Sequence, residues 1–313
     1  MSKKILVCGA GGFIGGHMVE RLKGDGNYVV GVDIKFHEHK KSVADEFLIR
    51  DLRSFENCME VTRNIDDVYQ FAADMGGAGY IFTGDHDDEI MHNSGAINLN
   101  MVEACKRNGV KRVFYSSSAC IYPERNQLDP NNPNCSEDSA YPASPDSEYG
   151  WEKLFSERLW MSYNKHFTVR ICRYHNIYGP YGTWRGGKEK APAAMIRKAL
   201  TSNGEIEVWG DGQQTRSFLF IDDCIRMSRQ LMESWYPYPI NIGSEEMVSI
   251  NQLAQIAIDL SGIQSEITHI EGPLGVRGRK SDNRLYVKEI GMGPKISLRD
   301  GMKMTLEWIR EQI

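Results

Sequence analysis

Gly9-Ala10-Gly11-Gly12-Phe13-Ile14-Gly15 is the stretch that decides the fold. It follows an apolar run, Ile5-Leu6-Val7-Cys8, and opens a segment, 13–23, whose apolar positions Ile14, Met18 and Leu22 recur at helical spacing. Strand, glycine turn and helix stand in the order that a dinucleotide site requires. Glycines at 9, 12 and 15 permit a tight turn and let the backbone approach a pyrophosphate, which the free N–H groups of the helix N-terminus receive. Taken alone, such a triplet also fits a turn with no ligand. Asp33 ends the next apolar run, 28–33. A carboxylate there bonds the adenosine ribose hydroxyls and repels a 2′-phosphate, which favours NAD over NADP. Asp51-Leu52 follows a third apolar run and could reach adenine, although a surface aspartate fits that pattern as well.

Outward from this turn, β runs at 68–73, 110–116 and 167–172 alternate with helical stretches around 98–107 and 149–163. Repeated βαβ units with near-continuous apolar strands predict an α/β fold: a Rossmann-type doubly wound parallel sheet with a smaller, interleaved C-terminal substrate domain. After residue 174 the character changes. The stretch 178–192 is rich in Gly, Pro, Trp and Lys and reads as a long functional loop. β segments at 217–221 and 240–243 and helices at 250–260 and 298–313 follow. The expected division is 1–174 plus about 217–245 for NAD, and about 175–216 plus 246–313 for the substrate.

Composition narrows the function. The chain has 313 residues, 41% apolar and 25% charged, with a net charge of −5, so nothing global favours a nucleic-acid partner. No apolar run approaches the roughly 18–20 residues that span a bilayer, so no membrane role is expected. The start, Met1-Ser2-Lys3-Lys4-Ile5-Leu6-Val7, is basic then apolar, but its apolar run is too short for a signal peptide and reads as the first strand. Seven cysteines, an odd number with no C-x-x-C pair, argue for reduced thiols in a cytoplasmic compartment and against a structural metal site. His37 and His39 read as solvated loop residues.

Tyr149 and Lys153 are one helical turn apart on a shared face. A phenol with a pKa near ~10 is a poor base at neutral pH, and a nearby ammonium favours its ionised form. It can then take a hydroxyl proton while hydride leaves for a nicotinamide. Ser118, at the end of an intervening strand, can hold the same hydroxyl. Two residues on lies Cys120, and Lys190 closes the long loop. A thiolate base and an ammonium acid on opposite faces of a sugar ring would invert a carbon. A C–H bond is too weak an acid for either group until a neighbouring C–OH becomes a ketone. Oxidation at C4 acidifies C3 and C5 together, so the redox pair and the Cys/Lys pair make chemical sense as one device. Against this, a buried cysteine is most often an apolar filler and a loop lysine is usually solvated.

Gly9–Gly15, Asp33, Ser118, Tyr149 and Lys153 together resemble the extended short-chain dehydrogenase/reductases that act on nucleotide sugars. Within them, the stretches 117–124, 175–192, 209–218 and 275–283 resemble the GDP-mannose 3,5-epimerases over nearly the whole chain. The resemblance implies Cys120 as base and Lys190 as acid, with Tyr149, Lys153 and Ser118 serving the redox steps on GDP-mannose. It implies cofactor contacts from Gly9, Gly12, Phe13, Ile14, Gly15, Asp33, Asp51, Leu52, Ala73, Tyr149 and Lys153. Substrate contacts are implied for Gly76, Ser118, Ala119, Cys120, Asn176, Glu189, Lys190, Ala191, Lys198, Gln214, Thr215, Arg216 and Arg279. Plant members tend to have alanine at Gly15 and carry terminal extensions that this chain lacks.

The basic residues Arg185, Lys188, Lys190, Arg197 and Lys198 face only Glu189 within 184–198, which suits a diphosphate but also a solvated face. A 4-epimerase needs only the redox set and stays open. Related 4,6-dehydratases carry Thr-Asp-Glu or Ser-Asp-Glu where this chain has Ser118-Ala119-Cys120. A non-catalytic scaffold would commonly have lost the Tyr or the Lys. Family members form homodimers through two helices, and Ile97, Met101 and Ala104 fit such a face or a core face equally.

Overall fold

A computed structural model describes residues 2–272 and 275–313. The first half runs β1 (Lys4–Cys8), α1 (Phe13–Gly24), β2 (Tyr28–Asp33), β3 (Glu46–Ile49), α2 (Phe55–Val61), β4 (Asp67–Gln70), α3 (Ala78–Ile81), α4 (Asp87–Arg107), β5 (Arg112–Ser118), α5 (Glu148–Ser162) and β6 (Thr168–Tyr174). The second half runs β7 (Ile177–Tyr178), α6 (Ala191–Leu200), β8 (Glu205–Trp209), β9 (Thr215–Ser217), β10 (Leu219–Phe220), α7 (Ile221–Glu233), β11 (Ile240–Ile242), β12 (Met247–Ser249), α8 (Ile250–Ser261), β13 (Glu266–Ile270), β14 (Gly278–Arg279), α9 (Arg284–Glu289) and α10 (Leu298–Arg310). Met1, in the basic–apolar start, lies outside the described residues; the apolar run itself is β1.

Seven strands form one parallel sheet in the order β11-β6-β5-β4-β1-β2-β3. The strands are apolar almost throughout because helices cover both faces. One core gathers residues of β1, α1, α6, α7, α8 and α10; the other gathers β1, β2, α2, α4 and α5. The chain winds outward from β1 to β3, then restarts at β4 and winds the other way. The crevice between β1 and β4 is therefore the switch point where α/β sheets bind ligands. The later strands form smaller sheets, β12-β9-β14, β8 with β13 and β7 with β10, against the packed helices α6, α8 and α10.

Three of the departures from the sequence reading have a visible physical cause. β4 stops at Gln70 rather than 73, because the Gln70 amide bonds both backbone groups of Ala72 and turns the chain away. The run 217–221 splits between two sheets, since the carbonyl of Ser217 accepts from Asn176 and its hydroxyl from the Ser281 N–H. α4 begins at Asp87, well before 98. Its first turn carries Asp87, Asp88 and Glu89, which suit the positive end of a helix. Met101 and Ala104 are fully buried and Ile97 packs on the same core, so these three belong to the core face. The exposed large apolar residues of the two neighbouring helices are Met91 and Leu99 on α4, and Trp151, Phe155 and Met161 on α5.

Candidate active site

At the switch point the backbone forms a cradle. Gly9 has φ +80°, and a Cβ there would lie 2.9 Å from the Ala72 nitrogen; one on Gly15 would lie 2.0 Å from the Gly9 carbonyl oxygen. No side chain caps the N-terminus of α1, whose first N–H groups are left for a ligand. Half-buried Phe13 and Ile14 follow Gly12 into this first turn. Asp33 accepts N–H bonds from Gly11 (2.9 Å), Ile34 (2.7 Å) and Lys35 (3.2 Å). Burial pushes its carboxyl up, against those three donors. Asp51 is exposed to solvent and held by Arg53 at 2.6 Å, Leu52 is buried, and Ala73 is half-buried just past β4. These residues fit a dinucleotide: small where a phosphate would press, with an acceptor where a ribose would sit.

His37 and His39 do not behave as solvated loop residues. Both are half-buried; His37 Nδ1 accepts the His39 N–H, and the His39 ring lies 5.0 Å from that of Trp308. Burial pulls the His37 imidazole down to about 4, so it stays neutral near pH 7.

At the C-terminal end of β5, Ser118 caps a single 3-10 turn, Ala119–Ile121, its Oγ accepting from the Cys120 N–H at 3.2 Å. Tyr149 enters from the first turn of α5, buried beside Cys120, Tyr80 and Ile90. Lys153 is buried one turn on, its Nζ donating to the Ser116 carbonyl at 3.1 Å. The shared helical face places both side chains as the spacing predicts. The electrostatics differ from the sequence argument. Burial pushes the Tyr149 phenol up, the Cys120 charge adds to this, and a hydrogen bond with Ser118 opposes it. The Lys153 Nζ donates to Ser116 and sits 5.7 Å from the phenol ring centre. Burial also pulls the Lys153 ammonium down, opposed first by the Glu152 carboxylate.

Lys190 reaches the same place from the N-cap of α6, its Nζ donating to the Gly76 carbonyl at 3.0 Å. Burial pulls its ammonium down while the charge of Cys120 supports it. The two groups therefore act on each other across the site. The segment 76–86 clamps this lysine. Lys188 Nζ stands 3.7 Å from the centre of the Tyr80 ring, His86 stacks on that ring at 4.1 Å, and Tyr80 OH donates to Asp74 at 2.9 Å. A Cβ on Gly77 would lie 2.4 Å from the Glu189 carbonyl oxygen, so only glycine allows this closeness.

The remaining expected contacts lie on α6, β9, β14 and the loops beside them. Asn176 (φ +46°) donates to Ser217 O at 3.0 Å. Glu189 accepts from Gly187 N–H and Arg197, Ala191 opens α6, and Lys198 Nζ donates to Glu207 O at 2.6 Å. Gln214 Oε1 is buried with no protein partner, an acceptor that a ligand donor would satisfy. Thr215 Oγ1 bonds Pro130 O, and Arg216 donates to Thr215 O and Val276 O. Arg279, from β14, donates to Cys120 Sγ at 3.1 Å. The basic run is thus not a free solvated face: Lys190, Arg197 and Lys198 each have a protein acceptor, while Arg185 and Lys188 lie over Trp184 and Tyr80.

Sequence reasoning missed Gly77, Tyr80, Gln127 and Asp146, which no spacing ties to Cys120 or Lys190. It also missed the polar layer under the redox pair. Glu157 binds Arg173 through both carboxylate oxygens at 3.0 Å and accepts from Ser117 at 2.5 Å, all buried. Glu157 lies two turns beyond Tyr149 on α5, so only the helical face gave a hint.

Comparison with known proteins follows this geometry. Residues 5–243 match the model of the NAD dependent epimerase/dehydratase family. GDP-mannose 3,5-epimerase of Arabidopsis thaliana is 50% identical over 314 residues, covering 99% of this chain and 83% of that protein. UDP-glucose 4-epimerase of Thermotoga maritima, solved with UDP-glucose, superposes with a TM-score of 0.87 at 25% identity, covering 99% of each chain. UDP-glucuronic acid 4-epimerase of Bacillus cereus, solved with UDP-glucuronic acid and NAD, superposes at 0.84 with 27% identity, covering 99% and 100%.

Proposed function

The chain belongs to the NAD dependent epimerase/dehydratase family, and we propose that it is a GDP-mannose 3,5-epimerase, converting GDP-D-mannose to GDP-L-galactose and GDP-L-gulose. The observation that carries this reading is the convergence of Cys120, Lys190 and Tyr149 on one buried spot at the mouth of a dinucleotide cradle. NAD, when bound, supplies the hydride acceptor that makes C4 a ketone and then returns the hydride. Gly9, Gly12, Gly15 and Asp33 would hold its pyrophosphate and adenosine ribose. Tyr149 takes the C4 hydroxyl proton, with Ser118 orienting that oxygen and Lys153 keeping positive charge beside it. The Cys120 thiolate removes the C–H proton made acidic by the ketone, at C3 or C5. The Lys190 ammonium delivers a proton to the opposite face, and that inverts the carbon. Tyr149 finally returns its proton to the C4 oxygen. Net oxidation is zero.

In this reading residues 1–174 and about 217–245 serve NAD, and about 175–216 with 246–313 hold the nucleotide sugar. The exposed Met91, Leu99, Trp151 and Phe155 support a homodimer through α4 and α5. Seven free thiols support a cytoplasmic setting, and no helix among the described residues is long and apolar enough to cross a membrane. The test is turnover of GDP-mannose by NAD-loaded protein in D2O, followed by NMR. Deuterium should enter at both C3 and C5. A product inverted at C4 with neither position labelled would instead make the protein a 4-epimerase.

A further inference from the structure

Each of the three guanidinium nitrogens of Arg279 donates to a protein acceptor. Nε donates to Gln127 Oε1 at 2.6 Å, Nη1 to Cys120 Sγ at 3.1 Å, and Nη2 to Asp146 Oδ2 at 2.7 Å. The Arg279 and Asp146 side chains are only 6% and 5% exposed. Gln127 is fixed in turn, its amide donating to the carbonyls of Tyr122 and Pro123. The other Asp146 oxygen accepts from the Ser147 hydroxyl, and Ser147 caps α5, the helix that carries Tyr149 and Lys153. Asp146 therefore ties the redox helix to the sulfur through one arginine.

The charges around Cys120 make this consequential. Arg279 from β14, Arg216 from β9, Lys190 before α6 and Lys153 on α5 all feel its negative form, as does the Tyr149 phenol. Four cationic side chains thus surround the sulfur. A base must nevertheless accept a proton in every turnover, and a thiolate held by an undivided guanidinium would resist doing so. Asp146 is the carboxylate that acts on both Arg279 and Arg216.

We propose that Asp146 is a positioning and charge-balancing residue for Cys120: it shares the Arg279 guanidinium with the sulfur, so the thiol can both lose and regain its proton. The proposal rests on the reading of Cys120 as the base.

The test measures alkylation of Cys120 by iodoacetamide against pH in NAD-loaded protein, read by mass spectrometry of its peptide. Cys120 is 8% exposed and the other six cysteines at most 2%, so the label discriminates. Asp146→Asn keeps the shape and removes the charge; the alkylation midpoint should fall by about one pH unit, and kcat for C–H exchange should drop with KM little changed. Asp146→Glu should restore the wild-type midpoint. Gln127→Glu, which adds an anion on the other edge of the guanidinium, should move the midpoint up and serves should the Asn variant lose NAD. An unmoved midpoint in Asp146→Asn overturns the proposal, whether or not the melting temperature falls, because a purely structural or substrate-binding role leaves it there. An upward shift in that variant overturns it too. Undiminished exchange in Cys120→Ala would instead overturn the function from which the proposal starts, and alkylation, which needs no substrate, tells the two failures apart.

Discussion

The proposed redox groups and the proposed proton-moving groups are built differently, although they share one cluster. Tyr149 and Lys153 stand on one regular helix, one turn apart, over a buried layer of Ser117, Glu157 and Arg173. Cys120 sits on a single 3-10 turn, and Lys190 on a loop held to a second loop by one carbonyl and a cation–π contact. Hydride transfer needs a fixed distance and orientation, which a helix on a sheet supplies. Inversion at two carbons needs the ring to present first one C–H and then another. Groups on irregular segments suit that demand better than groups locked on a helix. The same cradle with the redox set alone would serve a 4-epimerase, and in the proposed reading it is the irregular half that distinguishes the chemistry.

The largest blow to this comparison comes from Tyr149→Phe. It should lower both C4 oxidation and C–H exchange by about 10⁴-fold, near the upper limit for general acid–base removal; NAD reduction and deuterium uptake, measured on the same samples, must fall together. Cys120→Ala should separate the halves. Exchange at C3 and C5 falls about 10³-fold while bound NAD is still reduced by GDP-mannose, and loss of NAD reduction as well would merge the two into one device. Arg173→Met leaves Glu157 charged, buried and unpaired, and should cost about 3–5 kcal/mol of stability in urea unfolding. By contrast Arg53→Met, which removes an exposed pair with Asp51, should cost under about 1 kcal/mol. Gly77→Ala should push the Lys190 loop aside and reduce exchange by about 10²-fold with melting temperature and NAD reduction nearly unchanged. The finest test is pH. Burial lowers both lysine ammoniums, so each half should lose activity on the alkaline side at a lower pH than an ordinary lysine would give. Lys190→Met should abolish inversion yet leave the alkaline limb of NAD reduction in place, because that limb belongs to Lys153.

Much of the regular half was legible in the chain. Gly9-x-x-Gly12-x-x-Gly15 between an apolar run and a helical run, then Asp33 and Tyr149-x-x-x-Lys153, are local patterns of backbone geometry and helical spacing. They stand in the structure at the ends of β1 and β2 and on α5. Two of the boundaries turn on side chains that capture backbone groups, Gln70 on Ala72 and Asn176 on Ser217, and such bonds leave no period in a sequence. The polarity of His37 and His39 suggests solvent, whereas α10 brings Trp308 against His39, and His37 accepts the His39 N–H.

The sequence by itself determined the fold class, the cradle and the presence of a phenol–ammonium pair, since each depends on residues within one or two turns of one another. Only the tertiary structure decided the rest. It put Lys190 against Gly76, set Arg279 between Cys120 and Asp146, and made Met101 and Ala104 core rather than surface. It also decided that burial raises the Tyr149 phenol despite its lysine neighbour. The physical reason is the same in each case. Burial and charge pairing depend on which distant segments meet, and hydrophobic spacing along a chain says which face turns inward, not what waits there.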